Sequence, residues 1–447
     1  MADAPYIIWF QDLGMDMVAQ VGGKNASLGE ITRHLAEAGV RVPGGFAVTA
    51  RGYRALLDQG GLREPLRELF KDLDVSNRAD LAYAGERARG RILDAEIPEE
   101  VDRGIRAAYR KMCKDRGKED LAVAVRSSAT AEDLPGASFA GQQETYLHVH
   151  GEDNLVRAVH KCFASLFTDR AISYRTKLGF DHLDVALSVG IQEMVYADHG
   201  AAGVMFSLDT ESGFRDVVFI TASYGLGENV VQGAVNPDEY YVFKPLLEEG
   251  KPALIRRKLG DKSLRMVYGE DGTPHNLQVP QKERNRFVLS DGESLTLARW
   301  AVAVEKHYSE VYGEPTPMDM EWARDQETGE LFMLQARPET VYAGKKQELL
   351  RSYRLNETGK VLVTGRSVGE AIATGPVRVV ESPKALREFN TGDILVTKMT
   401  DPDWEPIMKQ AAGIVTNRGG RTCHAAIVSR ELGIPAVVGA GDATDVL

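Results

Sequence analysis

The stretch Gly419-Gly420-Arg421-Thr422-Cys423-His424-Ala425-Ala426-Ile427-Val428 places a histidine after a glycine pair and at the opening of an apolar segment. Ile414-Val415-Thr416 before it is a short β-branched run, and Gly419-Gly420 permit backbone torsions that other residues resist. Thr422 is read as the N-cap of a helix, Val428 and Leu432 repeat at helical spacing, and Gly433 with Pro435 ends it. A histidine in that first turn meets unpaired backbone N–H groups and the positive end of the helix dipole. The position disfavours imidazolium and favours a phosphate. Because imidazole attacks phosphorus only when neutral and phosphohistidine is an anion, the site would favour both nucleophile and product. Arg418 and Arg421 could add charge-assisted contacts to the same phosphate. A histidine that merely hydrogen-bonds a backbone group near a cap is the competing reading.

If His424 carries a phosphoryl group, a donor must bind elsewhere. Val21-Gly22-Gly23-Lys24-Asn25 fails as a P-loop, since Val18 stands where the first glycine belongs and Asn25 where Ser or Thr is required. Gly225-Leu226-Gly227-Glu228-Asn229-Val230 begins like a dinucleotide fingerprint but ends in Val. Four other places carry suitable chemistry. Lys24 lies in a glycine turn before a helix spanning Ala26 to Ala38, or else on a solvated turn. Arg126 closes a buried strand and leads into Ser127 to Gly136, a loop rich in hydroxyl and amide donors that suits a phosphate cradle or an ordinary capped turn. Asp319 and Glu321 alternate with apolar residues, so in a strand they share a face, and paired carboxylates suit a hard metal such as Mg²⁺. Gln335 and Arg337 alternate in the same way, and a solvated strand face competes for either pair. His148-Val149-His150 puts two imidazoles on one strand face, which without a further ligand nearby in sequence reads as a solvated strand. Cys423, with no supporting histidine or acid pattern, reads as a small packing residue.

The elements that must position these groups fall into two stretches. Helical segments dominate residues 1–120, including the charged run Pro65 to Lys111, and a buried strand follows at Leu121 to Val125. Strands are then expected at Thr145 to Val149, Val185 to Val195, Gly203 to Leu208, Val217 to Thr221, Tyr240 to Phe243 and Leu331 to Leu334, with a helix at Leu295 to Tyr312. Strands mixed with helices, without regular βαβ alternation, predict an α+β fold. The charged segment 345–360 is read as a semi-rigid linker arm between a domain at 1–344 and a second at 361–447. The second is expected to contain strands at Val361 to Thr364, Gly375 to Val380, Asp393 to Thr397, Ile414 to Thr416 and Ala436 to Val438. Helices are expected there at Pro383 to Phe389 and Pro406 to Gln410, and Asp445-Val446-Leu447 closes no obvious element.

A length of 447 residues allows two or three domains, and the 43% hydrophobic and 27% charged content is that of an ordinary globular protein. A net charge of −11 argues against nonspecific nucleic-acid binding and requires a local basic site for any anionic substrate. The three widely spaced cysteines suggest reduced thiols rather than a disulfide framework or zinc site, so a cytoplasmic location is expected.

The run from Gly419 to Gly439, ending Glu431-Leu432-Gly433-Ile434-Pro435-Ala436-Val437-Val438-Gly439, resembles the phosphohistidine segment of the PEP-utilising enzymes. Within that family the Arg-Thr-Cys-His wording is most similar to the phosphoenolpyruvate synthase (pyruvate, water dikinase) branch. The segments 21–30, 126–146, 225–240, 317–322 and 334–338 resemble, in order, the family's ATP-grasp nucleotide domain. By that resemblance Lys24, Arg126 and Arg337 would contact ATP phosphates, Gly141 and Thr145 would lie along the nucleotide, and Gln192 would sit near the adenine. Glu321 and Gln335 would hold Mg²⁺, and 361–447 would be a swivelling β/β/α phosphohistidine domain, incomplete at its C-terminus. The resemblance implies a gluconeogenic reaction in which ATP, pyruvate and water give PEP, AMP and phosphate through His424, in a homo-oligomeric full-length enzyme. It also implies a regulatory kinase/phosphorylase acting on Thr422. The family's pyruvate-binding barrel has no counterpart in the sequence, so this chain alone is expected to bind ATP and autophosphorylate but not to make PEP. Pyruvate phosphate dikinase, rifampicin phosphotransferase and a non-enzymatic phosphocarrier or ATP-sensing module are the alternatives.

Overall fold

The computed structural model describes residues 5–75, 77–130, 144–269, 272–339, 356, 357, 359–369, 371–383, 389–421 and 423–447. Gly141, Thr422, most of the 345–360 arm and most of the expected helix at Pro383 to Phe389 therefore lie outside the described residues. The chain divides into two compact units, Met1–Val195 with Gln335–Arg337, and Tyr196–Leu334 with Pro338–Leu447.

In the first unit, strands β1 (Ile7–Trp9), β2 (Gly45–Val48), β3 (Val123–Ala129), β4 (Thr145–Val149) and β5 (Leu187–Glu193) form a sheet in the order β1-β2-β5-β3-β4. All its pairings are antiparallel. Around it lie α1 (Val18–His34), α2 (Ala50–Gln59), α3 (Arg63–Phe70), α4 (Arg78–Asp94), α5 (Glu99–Asp115), α6 (Glu152–Ser165) and α7 (Asp169–Leu178). Strand alternation decides which face each helix takes. Val48, Val123, Val125, Val189 and Ile191 point to one side and build the main core with Tyr53, Leu56, Ile105, Leu155 and Phe163 of the helices. In α5 the buried Val101, Ile105, Ala108, Tyr109 and Met112 recur at helical spacing, and Glu99, Glu100 and Asp102 in the first turn suit the dipole. On the opposite sheet face, Ala47 packs with Val21, Ala26 and Leu28 of α1.

The second unit holds β6 (Ala201–Phe206), β7 (Val217–Tyr224), β8 (Asp238–Phe243), β9 (Leu254–Lys258), β10 (Leu264–Tyr268), β11 (Pro274–Gln278), β12 (Met318–Arg324) and, apart from Gln335–Arg337, β13 (Leu331–Pro338). Its main sheet runs β13-β12-β6-β7-β8-β9, and β10 and β11 form a separate hairpin. Helices α8 (Glu228–Val231), α9 (Lys244–Glu248), α10 (Gln281–Arg284) and α11 (Asp291–Tyr312) connect or cover these strands. The longest, α11, starts at a Ser290/Glu293 capping box and stops at left-handed Gly313.

The chain continues through β14 (Arg366–Val368), β15 (Val377–Val379), β16 (Ile394–Thr397), α12 (Glu405–Met408), β17 (Gly413–Thr416), α13 (His424–Leu432), β18 (Ala436–Val438) and α14 (Ala443–Val446). Strands β15 to β18 are parallel in the order β18-β17-β16-β15, with β14 added antiparallel at the edge beside β18. The architecture is thus mixed α/β, with antiparallel sheets followed by a mainly parallel one. Two local expectations are corrected. Val361 and Leu362 are 71% and 54% exposed and form no strand, whereas Val368, 1% exposed, lies in one, so burial outweighs β propensity. Of the C-terminal residues expected to close no element, Asp445 and Val446 are the last two residues of α14, whose Ala443 is buried beside Val396. Cys113, Cys162 and Cys423 are free and buried. Among the described residues no helix is long and apolar enough to cross a membrane.

Candidate active site

The face of the first sheet beneath α1 is built from small residues. Gly45, Gly190, Ala124, Ser128 and Ser188 lie on it, and they let the helix approach closely. A Cβ at Gly190 would stand 2.2 Å from Asn25 Oδ1. Helix α1 is broken at Gly22, whose φ of +73° and ψ of 164° are not helical. A side chain there would meet both the strain of a positive φ and Ser128, whose Oγ lies 2.2 Å from the position of a Cβ. Lys24 consequently falls in the first turn of the helical piece that follows the break, rather than in a turn before Ala26. Asn25 fixes this turn to the sheet: its Nδ2 donates to Ser188 Oγ and to the Val21 carbonyl, both at 3.0 Å.

Where the small residues give way to long ones, a cleft opens. Lys24, Asn25, Arg126, Gln192 and Gln335 supply its polar wall, and Phe10, Leu28 and Gly190 the rest. Its volume is about 240 Å³ out to the open mouth. Arg126 Nη2 donates to Gln335 Oε1 at 2.9 Å. Thr145 is exposed and directly opposite Arg126 across β3 and β4, hence on the same face. Gln192 is 3% exposed, and its Nε2 finds no hydrogen-bond acceptor among the described residues. A buried donor of this kind carries a desolvation cost that a bound acceptor would relieve. Four predicted residues, Lys24, Arg126, Gln192 and Gln335, thus meet in one cleft. Arg337, two residues beyond Gln335 on β13, is half-buried and does not line it.

In the second unit, Asp319 and Glu321 share one half-buried face of β12, while Met318, Met320 and Trp322 are buried on the other. His424 opens the nine-residue α13, and Gly433 closes it at φ +70°. The N-cap is Cys423 rather than the expected Thr422, and it makes no side-chain cap bond. Burial instead pushes the Cys423 thiol up, so it packs as a neutral group. Thr400, itself buried, places Oγ1 3.0 Å from His424 Nδ1.

Arg421 does not turn towards His424. Its Nη1 donates to Tyr241 OH at 2.8 Å, and its Nε lies 4.0 Å from Glu211 Oε1. Arg430, in the last turn of α13, pairs with the same carboxylate and donates to the Arg421 carbonyl at 2.6 Å. Burial pushes the Glu211 carboxyl up, against the pull of Arg430. Arg366 pairs with Glu239 beside this network. Backbone shape completes the fit. Gly233, at φ +75°, sits so close to the histidine loop that a Cβ would be 2.4 Å from Cys423 Cβ, and a Cβ on Gly420 would be 3.0 Å from Pro237 Cδ.

The amino-acid sequence that builds these groups has counterparts among known proteins. Residues 18–356 match the model of the pyruvate phosphate dikinase, AMP/ATP-binding domain. The chain belongs to the pyruvate phosphate dikinase AMP/ATP-binding family. Residues 389–447 also match the mobile domain of PEP-utilising enzymes. Phosphoenolpyruvate synthase from Synechocystis sp. is 55% identical over 447 residues, covering 99% of this chain and 55% of the relative. The Escherichia coli enzyme of that name is 52% identical over 446 residues, again 99% of this chain and 55% of the relative. A probable phosphoenolpyruvate synthase from Methanothermobacter thermautotrophicus is 43% identical over 442 residues, 99% and 61%. The chain spans a little over half the length of these relatives.

Within this family frame, the residues that sequence reasoning missed are the supports. Asn25, Ser188 and Gly190 set the floor of the cleft, Thr400 holds the imidazole, and Glu211, Tyr241 and Gly233 meet the histidine loop. Only Asn25 and Gly233 stood beside a motif already singled out, and none carries a signal of its own in sequence.

Proposed function

We propose that the chain is the ATP-binding and phosphohistidine part of a pyruvate, water dikinase, in which ATP, pyruvate and water become PEP, AMP and phosphate. In this reading 1–344 is an ATP-grasp domain, 345–360 an arm, and 361–447 a domain that swivels between ATP and a separate pyruvate site. The observation that carries it is His424 in the first turn of α13 with Nδ1 held by Thr400. If Nδ1–H donates to that hydroxyl, the lone pair sits on Nε2, and the helix end favours the anion that forms there. Nε2 then bonds to the β-phosphorus as the bond to the AMP oxygen breaks, and AMP carries away the electron pair; water next cleaves the γ-phosphate from the pyrophosphohistidine as inorganic phosphate, leaving one phosphoryl group on Nε2.

The remaining residues position and neutralise, which is most of what phosphoryl transfer requires. Lys24, Arg126 and Arg337 would take phosphate oxygens, Gly141 and Thr145 would follow the nucleotide, and the buried Nε2 of Gln192 would donate to an adenine nitrogen. Glu321 and Gln335 would hold Mg²⁺, which supplies charge neutralisation when bound; one or two such ligands plus phosphates is its usual habit. Thr422 would be the target of a regulatory kinase/phosphorylase, where added negative charge would oppose an incoming phosphate. The relatives' shared name favours this reading over pyruvate phosphate dikinase and rifampicin phosphotransferase. ATP labelled at the β or the γ position tests it. The β label should stay on the chain with AMP formed; a γ label retained with ADP as product would overturn it.

A further inference from the structure

We propose that His148 and His150 form a surface site for a tetrahedral divalent ion of the Zn²⁺ class, oriented by Asp120. The site is built by an irregularity in the sheet. Between β3 and β4, Val123 pairs with Val149 but Val125 pairs with Tyr146, so Leu147 and His148 together oppose Ala124. This is a β-bulge, a device that re-aims side chains. His148 takes up the extra length at φ +57°, one of two non-glycine residues with positive φ among the described residues. The outcome is convergence: the Nε2 atoms of His148 and His150 lie 3.5 Å apart, with the rings nearly perpendicular.

That separation is at the outer limit for a hydrogen bond between two ring nitrogens, and beyond the roughly 2.7–3.2 Å typical of N–H···O bonds. It is close to the spacing of two nitrogens each about 2.0–2.1 Å from one tetrahedral ion, roughly 3.4 Å, and longer than the ~2.9 Å of a right-angled pair. The second shell is also present. Asp120 Oδ2 is 3.2 Å from His150 Nδ1, which fixes the proton on Nδ1 and the lone pair on Nε2. Asp120 is held in turn, because its Oδ1 accepts from Tyr109 OH at 2.6 Å and from Gly151 N at 2.9 Å. The His150 and Asp120 side chains are 37% and 52% exposed, so an ion has access from solvent. Among the described residues no third histidine, cysteine or carboxylate completes a cage. Water would fill the open positions, or a donor from another molecule.

The test is titration of the nucleotide-free chain with Zn²⁺ by calorimetry and with Co²⁺ by absorption, beside His148→Asn and Asp120→Asn. Asparagine tolerates the positive φ at 148, so that variant should keep the wild-type melting temperature. The wild-type chain should bind one ion with a tetrahedral Co²⁺ spectrum. His148→Asn should abolish that event, and Asp120→Asn should weaken it roughly 10- to 100-fold. A binding event of equal stoichiometry and affinity in the folded His148→Asn variant, or none in the wild-type chain, would overturn the proposal.

Discussion

Substituting Gly233 by alanine perturbs the contact between the sheet and the histidine loop without touching either chemical group. Two costs add. A non-glycine residue at φ +75° pays about 1–2 kcal/mol of backbone strain. The new Cβ, 2.4 Å from Cys423 Cβ and 3.3 Å from its Sγ, must then displace a buried residue next to His424, and overpacking of this kind costs about 1–3 kcal/mol. The sum, about 2–5 kcal/mol, corresponds to a loss of roughly 30-fold to a few thousand-fold in the population with this contact formed. If the contact accompanies phosphoryl transfer from ATP, the single-turnover rate of His424 phosphorylation should fall by that factor while ATP affinity is retained. Gly250→Ala is the control, since it shares a positive φ of +68° but meets nothing within 4 Å. It should leave the rate unchanged. A Gly233→Ala chain that phosphorylates at the wild-type rate would refute the reasoning.

Three further outcomes are expected. Arg126→Met removes a cation from the cleft and strands Gln335 Oε1, so ATP should bind about 10- to 100-fold more weakly by calorimetry, as expected for a charged hydrogen bond worth ~1.5–3 kcal/mol; a Kd within twofold of wild type would remove Arg126 from the site. Thr400→Val deletes the hydroxyl on His424 Nδ1 at a cost of ~1 kcal/mol, so phosphorylation should slow about fivefold at unchanged ATP affinity, and an unchanged rate would contradict the assigned tautomer. Burial, and next Arg175, push His182 down to about 4 from 6.5. The unfolded chain then binds more protons between those values, so His182 contributes stability that is full above pH 6.5 and is lost as pH falls towards 4. Melting followed by circular dichroism at pH 7 and pH 5 should show that loss. His182→Gln should flatten it, and an equal slope in the variant would exclude His182 as its source.

Strands were legible where β-branched and apolar residues cluster: Thr145–Val149 and Ala436–Val438 fall where the pattern puts them, the first half-buried to exposed and the second buried at Ala436 and Val438. The helix after the glycine pair opens at His424 and ends at Gly433, as the sequence reads, although its N-cap is Cys423 and not Thr422. What the sequence hid depends on distance along the chain. Asn25 reaches Ser188 across 163 positions, and Arg126 reaches Gln335 across 209, so no local pattern announces either pair. A helical piece already runs from Val18, well before Ala26, and the non-helical Gly22 separates it from the piece that carries Lys24. Val361 has the branching of a strand residue but 71% exposure, and a β-branched side chain left in water gains nothing from pleating. The cap position falls on Cys423, whose side chain makes no cap bond and packs in the core beside Ala425 and Ala426.

Intact-mass spectrometry after incubation with Mg·ATP, in neutral-to-alkaline conditions that preserve phosphohistidine, tests the central claim most directly. The account predicts an acid-labile gain of one phosphate, AMP in equal amount, and neither in His424→Ala. An unmodified wild-type chain at saturating ATP, or a phosphate that persists in His424→Ala, would contradict it.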